Sequence, residues 1–220
     1  MAGFFISFEG VEGSGKSTQV VLLAEALRKH GYEVLTTREP GGTEIGQTLR
    51  RILLTPTQTP LAMRTELLLM LADRAQHVQE VIVPGLREGK IVISDRFVDS
   101  TTAYQGHGRG IDSDLLLRLN TFACGGLLPA LTLLLDVPVS EGLRRANQRR
   151  GSENHVDHFE AESVTFHERV REGFLSVART DPQRVCVIDG QQSPEAVHAV
   201  VLAVVRERLA SSGVFLVRSG

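Results

Sequence analysis

The pattern G-x-x-x-x-G-K-[ST] is matched without a gap by the stretch Gly10-Val11-Glu12-Gly13-Ser14-Gly15-Lys16-Ser17. An apolar run at residues 4–8 precedes it, and apolar side chains recur at helical spacing over residues 17–30 after it. Glycines let successive backbone N–H groups converge on an anion, and the positive end of the following helix points at the same place. The sequence therefore predicts a loop that binds nucleotide phosphates through Gly10, Val11, Glu12, Gly13, Ser14, Gly15, Lys16, Ser17 and Thr18.

Two side chains of this loop carry the chemistry that such a site needs. Lys16 can reach the terminal phosphates of the nucleotide, and the Ser17 hydroxyl can bind Mg²⁺. Asp95 ends an apolar run and resembles the carboxylate that orients Mg²⁺ or its water in such proteins. Because Asp136 also ends an apolar run, this argument leaves both aspartates open as metal ligands.

Strand-like and helix-like segments alternate along the whole chain. Five apolar runs predict strands, at residues 4–8, 33–37, 91–94, 131–137 and 184–188. Helical patterns cover residues 17–30, 43–54, 61–88, 112–122, about 140–150, 160–180 and 194–209, and Pro84 is expected to end or kink the third of these. Strands that are apolar throughout and alternate with helices predict an α/β fold of the P-loop type, with a five-stranded parallel sheet covered on both faces.

Composition excludes several classes of protein. The 220 residues carry 24 Lys+Arg and 26 Asp+Glu, so the chain lacks the basic footprint of a dedicated nucleic-acid binder. There is no apolar run of about 18 residues, so we expect no membrane span. Cys124 and Cys186 have no neighbours at metal-ligand spacing, and a reducing, cytoplasmic location is expected. We expect one domain over residues 1–220, and residues 211–220 receive no role.

Two classes of protein share the phosphate-binding loop. One is a switch or motor that hydrolyses GTP or ATP, and the other is a small kinase that transfers the γ-phosphate of ATP to a metabolite. The N-K-x-D segment with which GTPases read guanine is absent. Arg38, Arg74 and Arg96 follow apolar elements whose ends meet at the ligand-binding edge of an open sheet, and guanidinium groups bind phosphate bidentately. The sequence therefore favours a small kinase with a second phosphorylated substrate.

A basic segment, Arg144-Arg145-Ala146-Asn147-Gln148-Arg149-Arg150-Gly151, closes a predicted helix. Cations stabilise the C-terminal end of a helix, so a solvated helix end is one interpretation. The polar, glycine-flanked residues that follow favour another, a lid at about 142–160 that delivers an arginine to the transferring phosphoryl group.

The chain resembles the bacterial thymidylate kinase family over roughly residues 4–209. The resemblance rests on Phe8-Glu9-Gly10 with the phosphate loop, Arg38-Glu39-Pro40-Gly41-Gly42-Thr43, Asp95-Arg96-Phe97, and Ala103-Tyr104-Gln105-Gly106 with Gly108-Arg109-Gly110. It implies transfer of the γ-phosphate of ATP to dTMP, giving dTDP, with Mg²⁺ held at Ser17 and Asp95. It also implies a homodimer.

The same resemblance implies roles for individual residues. Arg38 and Arg96 would hold the dTMP phosphate and Arg74 the thymine carbonyl edge. The remaining substrate contacts would come from Glu9, Met70, Thr101, Tyr104, Gln105, Asp157 and Phe159, with Tyr104 under the deoxyribose. The catalytic charges would come from Lys16, Arg96 and, because the loop carries no arginine, Arg149 or Arg150.

Three positions depart from the family pattern. Met70 stands where many members have a phenylalanine that stacks on thymine, Phe159 where a tyrosine is frequent, and His158 where bacterial relatives often have an arginine. A thioether covers a ring face less specifically than an aromatic ring does. Two alternatives therefore remain at this point, a kinase for another nucleoside monophosphate and a P-loop switch that is not a kinase.

Overall fold

The computed structural model describes residues 3–55, 59, 61–150, 159–160 and 162–213, without the side chains of 149 and 150. Five strands form one parallel sheet in the order β2-β3-β1-β4-β5, which confirms the predicted fold class. Their bounds are β1 Phe4–Glu9, β2 Val34–Arg38, β3 Ile91–Asp95, β4 Leu131–Asp136 and β5 Val185–Asp189.

The central strand β1 is buried along its whole length, because it lies between β3 and β4 and both of its faces are covered. The register pairs Phe8 with Asp95 on one side and Glu9 with Leu134 on the other. Arg38 at the end of β2 is also paired with Asp95. The ends of these strands therefore bring polar side chains from distant parts of the sequence to one edge of the sheet.

Helices cover both faces of the sheet within the described ranges. Their bounds are α1 Lys16–Lys29, α2 Glu44–Leu54, α3 Met63–His77, α4 Val83–Arg87, α5 Val98–Thr101, α6 Ser113–Cys124, α7 Val139–Arg150, α8 Val164–Thr180 and α9 Pro194–Ser212. One core cluster joins β1, β3 and β4 to α1 and α9, and another joins β4 to α8. None of the helices described combines the length and the apolar character needed to cross a membrane.

The helix predicted over residues 61–88 is continuous from Met63 to Arg87 but changes its winding. A π-helical segment, Val78–Ile82, separates α3 from α4. Pro84 falls in the first turn of α4, directly after the wider π-helical turn. The helix therefore does not end at Pro84. The wider π-helical turn just before it is the feature that corresponds to the expected kink.

A second π-helical segment, Thr102–Gly108, follows α5 directly, and the sequence pattern did not predict it. Glycines and β-branched residues give this stretch little helix propensity. Tertiary packing compensates, since Gly108 lies against Phe166 of α8 and Gly173 of α8 lies against His107.

Of the predicted lid at about 142–160, residues 151–158 lie outside the described part of the chain, as do residues 214–220 of the tail.

Candidate functional site

The phosphate loop turns sharply between β1 and α1. Gly10, Gly13 and Gly15 have φ angles of 139°, 70° and 95°, a region that side-chain-bearing residues rarely adopt. A Cβ atom on Gly13 would collide with the carbonyl of Gly142 in the first turn of α7. Glycine at this position is therefore required both by the backbone angle and by the close approach of α7.

Lys16 points back into this loop. Its side chain is buried, and Nζ donates to the carbonyl oxygens of Gly10 (3.1 Å) and Val11 (2.8 Å) and to Ser14 Oγ (3.3 Å). Burial, and then the neighbouring charge of Arg96, lower the pKa of the Lys16 ammonium to about 8. These three acceptors are neutral, so the loop holds a buried cation that an anion would stabilise.

A cavity of about 400 Å³ opens beside the loop. Glu12, Gly13 and Gly15 to Thr18 line one side of it. The other side, which we call the arginine wall, is formed by residues 38–40, Met70, Arg74 and side chains from 96–105. Phosphate-binding groups and a second set of cationic and aromatic groups therefore face the same space.

The backbone of Arg96 is held in an unusual conformation. Its φ angle is +73°, the left-handed region that non-glycine residues seldom occupy. The Arg96 N–H donates to the Phe8 carbonyl (2.9 Å), and Ser94 Oγ donates to the Arg96 carbonyl (2.7 Å). Strain of this kind persists only where surrounding contacts impose it, and it turns the side chain towards the phosphate loop.

The guanidinium of Arg96 joins the loop to the arginine wall. Nη1 donates to the Gly10 carbonyl and to Ser100 Oγ, both at 3.1 Å. Nη2 donates to Glu12 Oε1 (2.5 Å) and to the Tyr104 hydroxyl (3.1 Å), and the group lies 5.0 Å from the centre of the Tyr104 ring. The structure therefore places the predicted Arg96 between the two sides of the cavity.

Arg74 lines the cavity but directs its donors into the protein. Nε donates to Glu39 (2.9 Å), Nη1 to Thr101 Oγ1 (2.8 Å) and Asn120 Oδ1 (2.6 Å), and Nη2 to the Phe97 carbonyl (3.0 Å). Its side chain is only 3% exposed. In this structure Arg74 ties three segments of the wall together, a role that the resemblance did not include.

Behind Arg74 lies a cluster of buried titratable groups that sequence reasoning missed. His77 binds Glu39 through Nδ1 (2.8 Å) and Thr37 through Nε2 (2.6 Å). Asp73 accepts from the Gly41 N–H (2.9 Å), and burial followed by the charge of Glu39 raises the pKa of Asp73 to about 6. The only sequence signal for this cluster is the spacing of Asp73 and His77, one helical turn apart on α3.

Glu9 lies behind the cavity lining rather than in it. It has no exposed surface, and its carboxylate accepts from the Phe97 N–H (2.7 Å) and from Ser100 Oγ (2.6 Å). Burial, and then the charge of Asp99, raise the pKa of Glu9 to about 8. Glu9 therefore supports the segment that follows β3. The resemblance implied a contact with the substrate, but in the structure Glu9 does not line the cavity.

The two candidate metal-binding aspartates differ in their surroundings. Asp95 lines the cavity and accepts from Ser17 Oγ at 2.5 Å. Asp136 is held by Arg171, which donates to both of its carboxylate oxygens (2.7 and 2.8 Å). Within the described ranges no group of three or more His, Cys, Asp or Glu side chains could bind a metal alone. Ser17 and Asp95 are hard oxygen ligands of the type that Mg²⁺ accepts together with phosphate oxygens.

Tyr104 stands at the centre of an aromatic group that closes the far end of the cavity. Phe159, Phe166 and Phe174 surround it with edge-on contacts at centroid distances of 5.6, 6.2 and 6.1 Å. Tyr104 and Phe159 also line the cavity. The wall there is a rigid aromatic surface of the kind that packs against a sugar or a base.

Most of the predicted site residues meet in this cavity. Those that line it are Glu12, Gly13, Gly15, Lys16, Ser17, Thr18, Arg38, Met70, Arg74, Asp95, Arg96, Thr101, Tyr104, Gln105 and Phe159. Gly10, Val11 and Ser14 shape the loop from behind. Asp157 and His158 lie outside the described residues, and so do the side chains of Arg149 and Arg150, which end α7.

Three comparisons with known proteins agree with one another. A family model described as "Thymidylate kinase" matches residues 8–201. The thymidylate kinase of Geobacter sulfurreducens is 52% identical over 209 residues, covering 94% of this chain and 98% of the relative. That of Trichormus variabilis is 48% identical over 210 residues, covering 95% and 98%. A crystal structure of thymidylate kinase from Ehrlichia chaffeensis matches with a TM-score of 0.75 at 36% identity, over 94% of this chain and all of the other.

Proposed function

The chain belongs to the thymidylate kinase family and phosphorylates dTMP to dTDP with ATP, and we propose that the 400 Å³ cavity beside the phosphate loop is where it does so. One observation carries the proposal: the phosphate loop and the arginine wall face the same space, and Arg96 bonds to both. Phosphoryl transfer needs donor and acceptor phosphates within contact distance of each other, which a shared cavity provides.

The phosphate loop holds the donor. The loop backbone and the N-terminus of α1 attract the ATP phosphates, and Lys16 exchanges its neutral acceptors for a phosphate oxygen. Ser17 and Asp95 hold Mg²⁺, which neutralises negative charge on the phosphates when it is bound. The donor-side chemistry of this chain is thus the supply of fixed positive charge.

The arginine wall holds the acceptor. Arg38 and Arg96 bind the dTMP phosphate, and Tyr104 packs against the deoxyribose. Met70, Thr101, Gln105 and Phe159 contact the base. Arg74 completes the base site mainly by fixing Thr101 and Glu39, since its donors already have partners in the protein.

Catalysis then requires positioning and charge neutralisation rather than a strong base. The acceptor phosphate is already an anionic nucleophile, and Lys16 and Arg96 balance the charge that spreads over the transferring group. Arg149 or Arg150, at the end of α7, supplies the remaining cation. We expect Arg149→Ala or Arg150→Ala to lower kcat more than dTMP affinity. An equal loss in both quantities contradicts the transition-state role.

We propose that the chain forms a homodimer through α3 and α6. Leu68 on α3 and Leu117 and Phe122 on α6 are large apolar side chains that expose 61%, 67% and 87% of their area, and a partner would cover such groups. A second copy of the chain is the occupant, because α3 also carries site residues and would be stiffened by pairing. Light scattering tests this: Phe122→Glu should yield a monomer, and a wild-type monomer contradicts the proposal.

The two cysteines support the predicted location. Cys124 and Cys186 are both free thiols. A chain without a disulfide is typical of the reducing cytoplasm, where we propose that the enzyme works.

Acceptor-dependent ADP release tests the proposed site. The measurement uses Mg²⁺-ATP with dTMP, dUMP, dCMP, UMP, AMP or GMP as separate acceptors, and with none. A strong preference for dTMP supports the thymine site with Met70 in it. Preferred turnover with another monophosphate would mean that the cavity is built for a different base. Hydrolysis of ATP without an acceptor would contradict the roles of Arg38 and Arg96. Loss of activity after Arg96→Met, with ATP binding retained, ties the acceptor phosphate to this residue.

A further inference from the structure

The short helix α5, Val98–Thr101, carries three consecutive side chains with different partners. Thr101 accepts from Arg74, and Ser100 accepts from Arg96. Asp99 points away from the cavity, towards the sheet. One turn of helix thus supports both Arg74 and Arg96 of the arginine wall through neighbouring residues.

Such a helix has almost no stability of its own. A single turn fixes several backbone angles for one hydrogen bond, so its position must come from tertiary contacts. The chain immediately before it contains the strained backbone of Arg96, and the chain after it winds as a π-helix. An external anchor is therefore needed to keep Ser100 and Thr101 in place.

Asp99 makes that anchor. It is 4% exposed, and both of its carboxylate oxygens accept from Arg184, at 2.6 and 3.0 Å. Thr132 of β4 donates to the same carboxylate (3.1 Å) and is itself bonded to Ser7 of β1 (2.8 Å). The helix is in this way fixed to two strands of the sheet and to the residue that precedes β5.

We propose that Asp99 and Arg184 are positioning residues for phosphoryl transfer: their buried ion pair fixes α5 and thereby holds Arg96 and Arg74 in the geometry that dTMP requires. The inference rests on the proposed roles of those two arginines. It adds a dependence on Arg184, which lies beyond the cavity lining.

Electrostatics support the same link. Glu9 binds Ser100 from behind the cavity, and the charge of Asp99 is the second cause, after burial, of the raised pKa of Glu9. The groups that face Glu9 are Asp99, Arg96, Ser100 and the Phe97 N–H. A change at Asp99 therefore reaches the segment that holds Arg96 by two routes, one through α5 and one through Glu9.

The test separates positioning from stability. Arg184→Met leaves the buried Asp99 carboxylate without its guanidinium partner, and Asp99→Asn leaves Arg184 with Asp181 as its one remaining carboxylate, so both should lower thermal stability. The double variant Asp99→Asn/Arg184→Met removes both charges and should recover most of that stability. If the pair positions the site, all three variants raise the KM for dTMP about tenfold or more while the KM for ATP changes less than about twofold. Arg184→Lys, which retains the charge, should restore part of the dTMP affinity.

A matched control uses the other carboxylate on the same arginine. Arg184 Nε donates to Asp181 (2.7 Å), whose side chain is 41% exposed. Asp181→Asn should leave both KM values and kcat unchanged.

A double variant with recovered stability and the wild-type KM for dTMP overturns the inference, as does an equal rise in both KM values. Arg96→Met distinguishes this failure from failure of the proposed site. If Arg96→Met impairs dTMP turnover and Asp99→Asn does not, only the anchor is wrong. If Arg96→Met has no effect, the site assignment fails and the anchor inference fails with it.

Discussion

The phosphate loop takes its binding groups from consecutive residues, 10–18, whereas the arginine wall takes its groups from segments at 38–40, 70–74 and 96–105. In the loop, glycine backbone angles let backbone N–H groups converge, and Lys16 adds a buried cation. In the wall, Glu39 and Arg74 bind each other, and Arg74 also binds Thr101, so buried side chains must be paired before they can present a surface.

This difference separates two kinds of dependence on sequence. A backbone site tolerates a change of side chain without loss of the fold, because its geometry lies in the main chain. A site made of buried ion pairs cannot lose one partner without leaving the other in a medium of low polarity. We therefore expect side-chain variants of the wall to lose stability together with function, and side-chain variants of the loop that leave its glycines in place to lose function alone.

Arg74→Met should give the largest loss of stability. It leaves Glu39 without its guanidinium partner and removes the bonds to Thr101 and Asn120, so the free energy of unfolding should fall by about 3–5 kcal/mol. Chemical denaturation measures this. Arg38→Met, at an exposed position of the same wall, should change stability by less than about 0.5 kcal/mol while it weakens dTMP binding.

Lys16→Met should give the opposite result. Removing a charge that neutralises the transferring phosphoryl group should lower kcat by about 10²–10³-fold. Burial already lowers the pKa of this ammonium to about 8, so its removal should not reduce the free energy of unfolding. Steady-state kinetics measures the loss of kcat, and denaturation of the same preparation measures stability. A large loss of stability would contradict the predicted difference from Arg74→Met.

Asp73→Asn should change how the stability of the protein depends on pH. Burial and Glu39 raise the pKa of Asp73 from its usual value near 4 to about 6 in the folded chain, so the native state holds its proton more tightly than the unfolded state does. Wild-type stability from this group is therefore lost as pH rises from 4 to 6, by about 2–3 kcal/mol in total. Asparagine cannot ionise and can still accept from Gly41.

Denaturation curves at several pH values check this prediction. The stability of Asp73→Asn relative to wild type should increase between pH 4 and pH 7, and a difference that does not change with pH would contradict it. Asp181→Asn, at a surface carboxylate, provides the comparison variant.

Gly15→Ala changes the backbone of the loop and should cost a modest amount of stability. A Cβ atom here meets nothing within 4 Å, so only the φ angle of 95° penalises the substitution, by about 1–2 kcal/mol. Gly13→Ala should cost more, since its methyl group would meet the carbonyl of Gly142 as well. Equal effects in thermal unfolding would mean that the contact with α7 relaxes without penalty.

Sequence reasoning found the parts of the molecule that are local. The five strands, the phosphate loop and most cavity-lining residues follow from apolar runs and contiguous motifs, whose physics acts over a few residues. The strand-end position could not separate Asp95 from Asp136, because what distinguishes them is the tertiary contact of Asp136 with Arg171. Resemblance favours Asp95 as the metal ligand, which stays a prediction; in the structure Asp95 lines the cavity, whereas Asp136 does not.

The parts that were missed depend on distant residues. Helix α5 and the π-helical segment after it have weak local propensity and form because α8 packs on them. In the sequence, nothing distinguishes Arg184 from other charged residues at the start of a strand. Its contact with Asp99 forms only in the folded chain. The resemblance implied that Glu9 contacts the substrate, whereas the structure places it behind the cavity lining, bonded to Ser100. A motif shows that a residue matters but not which neighbour it contacts.

Arg96 is hydrogen-bonded through both its backbone and its guanidinium in the absence of substrate, and we expect this to affect the thermodynamics of binding. Its backbone is fixed by Phe8 and Ser94, and its guanidinium by Gly10, Glu12, Ser100 and Tyr104. A free arginine loses rotamer entropy when a ligand orders it, at about 0.5–1.5 kcal/mol for such a side chain. If Arg96 binds the dTMP phosphate as proposed, that loss has already occurred during folding, and binding would exchange one set of hydrogen-bond partners of Arg96 for another.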